Sequence, residues 1–279
     1  MEKINLTAKE WQCAEKVLNE FSYHTDCLRN GQLTVEPKYI VCMDDDASSA
    51  FYAAKVYFAC KKQYKHEPLV LCVGGKGMLS KYLNYDGCSE GEKLAHVCRR
   101  LGVKRVMILD KGNNTGANVK EIIENTEKGA PIIFCPTKRL SLRLERTVKF
   151  STTQFPGTEP LSAWFYVAPE TLEDMLQAHN GKGLAGGLAL LSELASIYER
   201  LRRYKNIFNA PLEKKPSQEG VEAAAYLEKH YPIKIKRLPL SAPIQFVKMY
   251  WAVMTGKKAV QEDLEKHVEE WHTRVEEGL

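Results

Sequence analysis

The sequence lacks the short motifs that mark several protein classes. Its eight cysteines form no C-x-x-C pair and no Cys/His spacing typical of a metal site. No G-x-x-x-x-G-K-[ST] motif occurs, which argues against a P-loop NTPase. The formal net charge of +5 over 279 residues is too small and too dispersed to predict a nucleic-acid partner. The sequence therefore contains no common metal-binding motif, and we expect no nucleic-acid partner.

Long hydrophobic runs are missing as well. The N-terminal stretch "MEKINLTAKEWQCAEKVLNEF" is typical of a capped amphipathic helix rather than of a secretory leader. The most apolar later run, "GLAGGLALL", meets Ser192 and Glu193 before it could span a bilayer. Cys42, Cys72 and Cys135 lie within apolar runs, where a free cysteine behaves as a small hydrophobic residue. We expect no membrane span and a reduced, cytoplasmic protein.

Strand-like and helix-like segments alternate from residue 38 onward. The apolar runs "KYIVCM", "PLVLCVGG", "RVMIL" and "PIIFC" are each followed by a helical pattern, and "AWFYVA" is a fifth strand candidate. The first four runs are continuously apolar, which is typical of strands that are covered on both faces. The pattern predicts a Rossmann-like three-layer α/β fold with a mainly parallel sheet.

Helical periods and prolines dominate after about residue 170. The sequence therefore predicts two domains. Residues 1–169 form a Rossmann-like ligand-binding domain, with an N-terminal helix within residues 7–29 packed on it. Residues 170–279 form a smaller helical C-terminal subdomain. The pattern does not determine the oligomeric state.

Polar loops follow the first four strands. They read "DDDASS", "GGKGMLSKYLNYDGCSE", "DKGNNTGAN" and "PTKR", whereas the connection "KKQYKHE" at the opposite edge is an ordinary solvated turn. In an open parallel sheet, ligands bind outside the carboxyl ends of the strands, near the point where the strand order reverses. The four loops therefore predict a ligand site at one edge of the sheet.

Several of these residues also have a purely structural interpretation. Ser89 and Glu92 match the capping box S-x-x-E, and Thr115 and Thr137 occupy positions where N-caps occur. The string from Gly75 through Gly77 to Ser80 resembles G-x-G-x-x-G with its last glycine replaced, and no helix follows directly. Three arginines recur at helical spacing, and their simplest interpretation is an exposed basic face of a helix. They are Arg139, Arg143 and Arg146.

The order of these features resembles the YdcF-like and SanA-like family, a domain of unknown function. The shared features are an apolar strand that ends in Gly-Gly, a long loop, "SE" at the start of a helix, "LGV", a strand that ends in an acid, N-T-x-x-N, and a Thr-Lys-Arg turn. They cover roughly residues 38–150. The helical remainder and the expected lack of a membrane anchor make the chain more similar to the YdcF branch.

The resemblance implies a set of ligand-contacting residues, with Glu90 and Asp110 as the catalytic candidates. Two positions depart from the family pattern: Ala117 stands where a carboxylate usually precedes the last Asn, and Asp110 stands where the acid is usually Glu. With Gly77 added from the glycine-rich string, the candidate cofactor-binding residues are Gly74, Gly75, Gly77, Ser89, Glu90, Asp110, Asn114, Thr115, Asn118, Thr137, Lys138 and Arg139.

The resemblance implies a small-molecule ligand of the nucleotide or S-adenosylmethionine type and does not specify a reaction. On this hypothesis the loop at residues 76–87 forms a lid over the ligand. Two alternatives stay open. One is a metal-assisted hydrolase or transferase in which Asp44, Asp46 and Asp110 hold a cation while Lys138 and Arg139 bind a phosphate of the substrate. The other is a non-catalytic, envelope-related interaction protein that docks through its basic helix.

Overall fold

Five parallel strands form the central sheet. The computed structural model describes residues 4–43, 47–75, 88–154, 161–167, 169–180, 184–203, 205 and 209–231. The strands are β1 (Tyr39–Met43), β2 (Leu69–Val73), β3 (Val106–Leu109), β4 (Ile132–Cys135) and β5 (Ala163–Phe165). They lie in the order β3-β2-β1-β4-β5, and every neighbouring pair is parallel. A two-residue antiparallel ribbon, Leu28–Arg29 with Gln32–Leu33, precedes β1.

Eight helices are described along the same part of the chain. They are α1 (Ala8–Glu20), α2 (Ser48–Tyr64), α3 (Glu90–Arg100), α4 (Thr115–Glu124), α5 (Lys138–Gln154), α6 (Leu172–Asn180), α7 (Leu184–Arg203) and α8 (Gln218–His230). No helix among the described residues is both long enough and apolar enough to cross a membrane.

The sheet is covered on both faces, which explains the continuous apolar runs of its strands. All five residues of β1 are buried. On one face Ile40, Cys42 and Val70 pack against α2 and α3. On the other face Val41 and Leu71 belong to a core that also contains side chains of α4 and α5. Helix, sheet and helix therefore form three layers, and the predicted Rossmann-like α/β fold is confirmed.

A second group of helices packs around α1. Its apolar residues, including Val17 and Leu18, share a core with Leu194 of α7 and Leu227 of α8. The sequence analysis placed this N-terminal helix on the sheet domain, whereas its main helix contacts in the structure are with α6, α7 and α8. Contacts also continue across the boundary predicted at residue 170, because Met1–Tyr231 form one compact unit.

Candidate functional site

The loops that follow β2, β3 and β4 lie at the same edge of the sheet. Gly74, Asp110 and Thr137 each follow the carboxyl end of one of these parallel strands. The prediction that the three residues share one edge is confirmed. The strand order reverses at β1, which has β2 on one side and β4 on the other. Since neighbouring strands are about 4.8 Å apart, the ends of β2 and β4 are separated by about 10 Å.

Backbone hydrogen bonds join the loops after β2 and β3 to the start of α3. The Gly74 N–H donates to the Leu109 carbonyl at 2.8 Å, and the Gly75 N–H donates to the Gly112 carbonyl at 2.7 Å. The Gly91 N–H in turn donates to the Gly74 carbonyl at 2.7 Å. These bonds fix the position of the first turn of α3 at the carboxyl edge.

Gly74 and Gly75 are required by this close packing of the chain on itself. A Cβ on Gly75 would lie 2.4 Å from the Asp110 carbonyl oxygen, and one on Gly74 would lie 2.7 Å from a carboxylate oxygen of Glu90. Gly74 also has a φ of +139°, a conformation that residues with a Cβ rarely adopt. The atoms that leave no room for a Cβ at these two glycines therefore belong to the protein chain itself.

A buried carboxylate that the sequence analysis missed supports the loop after β3. Glu121 of α4 is 7% exposed and accepts hydrogen bonds from the N–H groups of Lys111, at 3.2 Å, and Gly112, at 3.1 Å. The sequence could have indicated this role, because Glu121 lies between the apolar residues Val119 and Ile122 on the buried face of a short helix. A buried acid needs such partners, because an isolated buried charge is costly.

Asn118 lies beside the same loop and is 6% exposed. Its Oδ1 atom has no hydrogen-bond partner among the described residues. A Cβ on Gly112 would lie 2.1 Å from that oxygen, so the absence of a side chain at Gly112 makes room for the amide. Buried polar atoms usually have a partner, and this acceptor is therefore a candidate contact for a ligand.

The two candidate catalytic residues lie beside the Gly74–Gly75 turn, Glu90 with its carboxylate near Gly74 and Asp110 with its backbone carbonyl near Gly75. Asp110 is exposed at the end of the edge strand β3, and Glu90 is half-buried against Gly74. Ser89 caps α3 as predicted, because its Oγ accepts from the Glu92 N–H at 3.1 Å while Glu92 accepts from the Ser89 N–H at 2.7 Å. The Ser89 side chain is consequently committed to the helix start.

Thr115 is not the N-cap of α4, contrary to the sequence-based interpretation. The cap is the preceding residue, Asn114, whose Oδ1 accepts from the Ala117 N–H at 3.0 Å. The reason is geometric, because the capping oxygen must reach the N–H group three residues further along. Thr115 is instead the first residue of the helix.

Lys138 and Arg139 are held by the helical layer. The Lys138 ammonium donates to Asn19 Oδ1 of α1 at 2.6 Å. The Arg139 side chain is 2% exposed and forms an ion pair with Glu193 of α7. Thr137, at the start of this turn, is 1% exposed. Both basic side chains therefore already have protein partners at the β4 end of the edge.

The predicted exposed basic face of α5 is wrong. Arg139 and Arg146 are only 4% and 3% exposed. Arg146 pairs with the neighbouring carboxylate of Glu145 and donates to the Pro211 carbonyl at 2.8 Å. The face is buried because α7 and the segment around Pro211 pack on it, and the arginines are tolerated there because each has an anionic partner.

Some predicted site residues lie outside the described residues. These are Asp44 and Asp46, which were candidate metal ligands, and Gly77 with the rest of the lid predicted at residues 76–87.

A cluster of three cysteine side chains lies under the same edge. Cys42 and Cys72 are register partners on β1 and β2, and Cys98 reaches them from α3. The three sulfurs are 3.3, 3.9 and 4.0 Å apart, and all three residues are 0% exposed. Hydrogen bonds from Cys42 and Cys72 lower the pKa of the Cys98 thiol. Sequence spacing could not indicate this cluster, because its members are separated by 30 and 26 residues.

Comparison with known proteins does not identify the chain. No protein-family model matches it, and no curated protein matches it.

Proposed function

We propose that the protein binds a small molecule of the adenine-nucleotide or S-adenosylmethionine type at the carboxyl edge of the sheet. The observation that carries this proposal is the strand order β3-β2-β1-β4-β5, all parallel. Such an order opens a crevice at the strand where the winding reverses, which here is β1. The resemblance of the sequence motifs to the YdcF-like family favours the same ligand class.

The charge of the described edge favours a ligand with hydroxyl groups and positive charge over one rich in phosphate. Glu90 and Asp110 lie beside the Gly74–Gly75 turn, and Glu92 adds a further carboxylate to the first turn of α3. Carboxylates in the first turn of a helix oppose the binding of an anion there. Lys138 and Arg139, the residues expected to bind a phosphate, contact Asn19 and Glu193 instead. The exposed Lys111 in the loop after β3 adds one positive charge against the three carboxylates. We therefore favour S-adenosylmethionine over ATP.

Each candidate contact has a defined role in this proposal. The carboxylates of Glu90 and Asp110 accept hydrogen bonds from ribose hydroxyl groups or pair with the amino group of the ligand. The unpartnered Oδ1 of Asn118 accepts an N–H or O–H group. The engagement of Lys138 and Arg139 weakens the alternative of a metal-assisted enzyme that acts on a phosphate-containing substrate. The reaction, if one follows binding, is not specified by these contacts.

Thermal denaturation with S-adenosylmethionine, S-adenosylhomocysteine, adenosine and ATP tests the proposal. A ligand at 100 times its Kd stabilises the native state by about 2.7 kcal/mol. For a protein of this size that raises Tm by about 5–10 °C. We expect S-adenosylmethionine to give a larger shift than ATP.

Two variants locate the site. Asp110→Asn should reduce the ligand-induced shift and leave the Tm of the free protein unchanged, because Asp110 is exposed. Glu124→Gln is the matched control, since Glu124 is an exposed acid at the other end of α4. If no adenine-containing ligand raises Tm, or if both variants reduce the shift equally, the proposal is wrong.

A further inference from the structure

We infer that Cys42, Cys72 and Cys98 form a three-sulfur site for a monovalent copper ion inside the core. The site is distinct from the proposed ligand site, and it does not depend on that proposal. The ion would join β1, β2 and α3 directly beneath the Gly74–Gly75 turn.

The triangle of sulfur atoms has the size that a bound soft cation requires. A point equidistant from three atoms separated by 3.3, 3.9 and 4.0 Å lies about 2.2 Å from each of them. The Zn–S bond length of about 2.3 Å is typical of thiolate coordination by such cations. Among the described residues, this is the one group of three or more His, Cys, Asp or Glu side chains arranged to hold a metal ion.

The fold holds this triangle in place without adjustment. Cys42 and Cys72 lie side by side because β1 and β2 are parallel and in register at these positions, and both residues belong to the core on the α3 side of the sheet. Cys98 lies on the buried face of α3, whose first turn is fixed by the hydrogen bond from the Gly91 N–H to the Gly74 carbonyl at 2.7 Å. Both the strand pair and the helix are therefore rigid supports for the ligands.

The number and type of ligands favour copper over zinc. Soft thiolates select Cu(I) or zinc, and structural zinc is almost always bound by four ligands. Among the described residues, three sulfurs and no fourth His, Cys, Asp or Glu side chain form the group, and all three cysteines are buried from bulk water. Cys98 Sγ also contacts the Ala50 carbonyl oxygen at 3.9 Å, but oxygen is a poor ligand for a soft ion. Cu(I) is stable with three sulfur ligands in a plane.

Because the sulfurs are inaccessible in the folded state, the ion must enter during folding or local opening. The test therefore refolds the full-length chain without oxygen, in the presence of the acetonitrile complex of Cu(I). A Cys88→Ser background removes the exposed thiol that would bind copper elsewhere. After gel filtration we expect one copper ion per chain and a near-ultraviolet absorption band of a copper–thiolate complex. X-ray absorption should find three sulfur neighbours.

Cys135→Ser provides a closely matched control. Cys135 is 0% exposed, is the register partner of Cys42 on β4, and belongs to the same core, yet it lies outside the triangle. We expect Cys135→Ser to retain copper, and Cys42→Ser or Cys98→Ser to lose at least about 10-fold in affinity against a Cu(I) chelator, since even changes beyond the ligands cost that much.

Two results would overturn the inference. The first is that the refolded protein retains no copper, whether or not a parallel refolding with zinc sulfate yields a zinc-loaded protein. The second is that Cys42→Ser, Cys98→Ser and Cys135→Ser retain copper equally. Three thiols that pack together without binding a metal would also lie near van der Waals contact, so the sulfur distances do not distinguish the two cases. The copper content and the X-ray absorption of the parent protein do distinguish them, even if a variant fails to fold.

Discussion

Replacement of Gly91 by alanine tests whether the carboxyl edge is packed as tightly as the structure indicates. In the first turn of a helix, alanine is normally favoured over glycine, by up to about 1 kcal/mol. Here the added Cβ would lie 2.7 Å from the Cys72 carbonyl oxygen, 3.2 Å from that of Gly74 and 3.3 Å from that of Leu109. All three atoms belong to the backbone, so no side chain can move aside to relieve the clash.

The clash should therefore outweigh the helix preference. To relieve it, α3 must move away from the ends of β2 and β3, and overpacking of this kind costs about 1–3 kcal/mol. The movement also weakens the hydrogen bond from the Gly91 N–H to the Gly74 carbonyl, worth about 1 kcal/mol. We expect a net loss of about 2 kcal/mol in the free energy of unfolding, or about 4–8 °C in Tm.

Urea and thermal denaturation of Gly91→Ala and of the control Gly220→Ala measure this effect. Gly220 is also buried in the first turn of a helix, but a Cβ there would meet only side-chain atoms, namely Glu20 Cγ at 2.7 Å, Glu20 Cδ at 3.0 Å and Ser217 Oγ at 3.2 Å. Glu20 can move at the expense of its hydrogen bonds with the N–H and hydroxyl groups of Ser217, so we expect Gly220→Ala to lose clearly less stability than Gly91→Ala. If Gly91→Ala is as stable as Gly220→Ala, the reasoning about backbone contacts at this edge is wrong.

Three further predictions follow from single contacts. Glu121→Gln keeps the shape but removes the charge that accepts the Lys111 and Gly112 N–H groups, so it should lower stability by about 1 kcal/mol in urea denaturation, and a neutral result would contradict the support assigned to this carboxylate. Arg139→Ala leaves the half-buried Glu193 with Arg143 and Arg200, each only at 3.9 Å, so the free energy of unfolding should fall by about 1–3 kcal/mol. Lys138→Ala in the same turn should cost much less, and equal losses would refute the distinction. Hydrogen bonds from Thr7 lower the pKa of the Glu10 carboxyl group below its usual value of 4.5. The ionised carboxylate therefore stabilises the folded state fully above pH 4.5, and this contribution is lost as the pH falls through the lowered pKa. The stability difference between the parent protein and Glu10→Gln should therefore be larger at pH 7 than at pH 3, and a difference that does not change with pH would rule out the capping interaction as its source.

The sequence predicted the layers of the fold and the edge that carries the polar loops, because both depend on local patterns. A strand covered on both faces must be continuously apolar, and alternating strands and helices of this kind form a parallel sheet. Once the strands are parallel, the residues that follow them, such as Gly74, Asp110 and Thr137, must share one edge. The cap at Ser89 was predictable for the same reason, since its hydrogen bonds involve residues three positions away.

The tertiary structure alone decided which side chains meet. The periodicity of α5 placed its arginines on one face, but only the packing of α7 and the segment around Pro211 determined that Arg139 and Arg146 are buried. The amphipathic pattern of α1 likewise predicted a buried face without indicating that α7 and α8 cover it. The sequence indicated only that Cys42 and Cys72 lie in separate apolar strands and gave no role to Cys98, whereas strand register and helix placement bring the three sulfurs within 4.0 Å of one another. Local periodicity fixes which face of an element is buried, whereas the partner on that face is set by contacts between residues far apart in the chain.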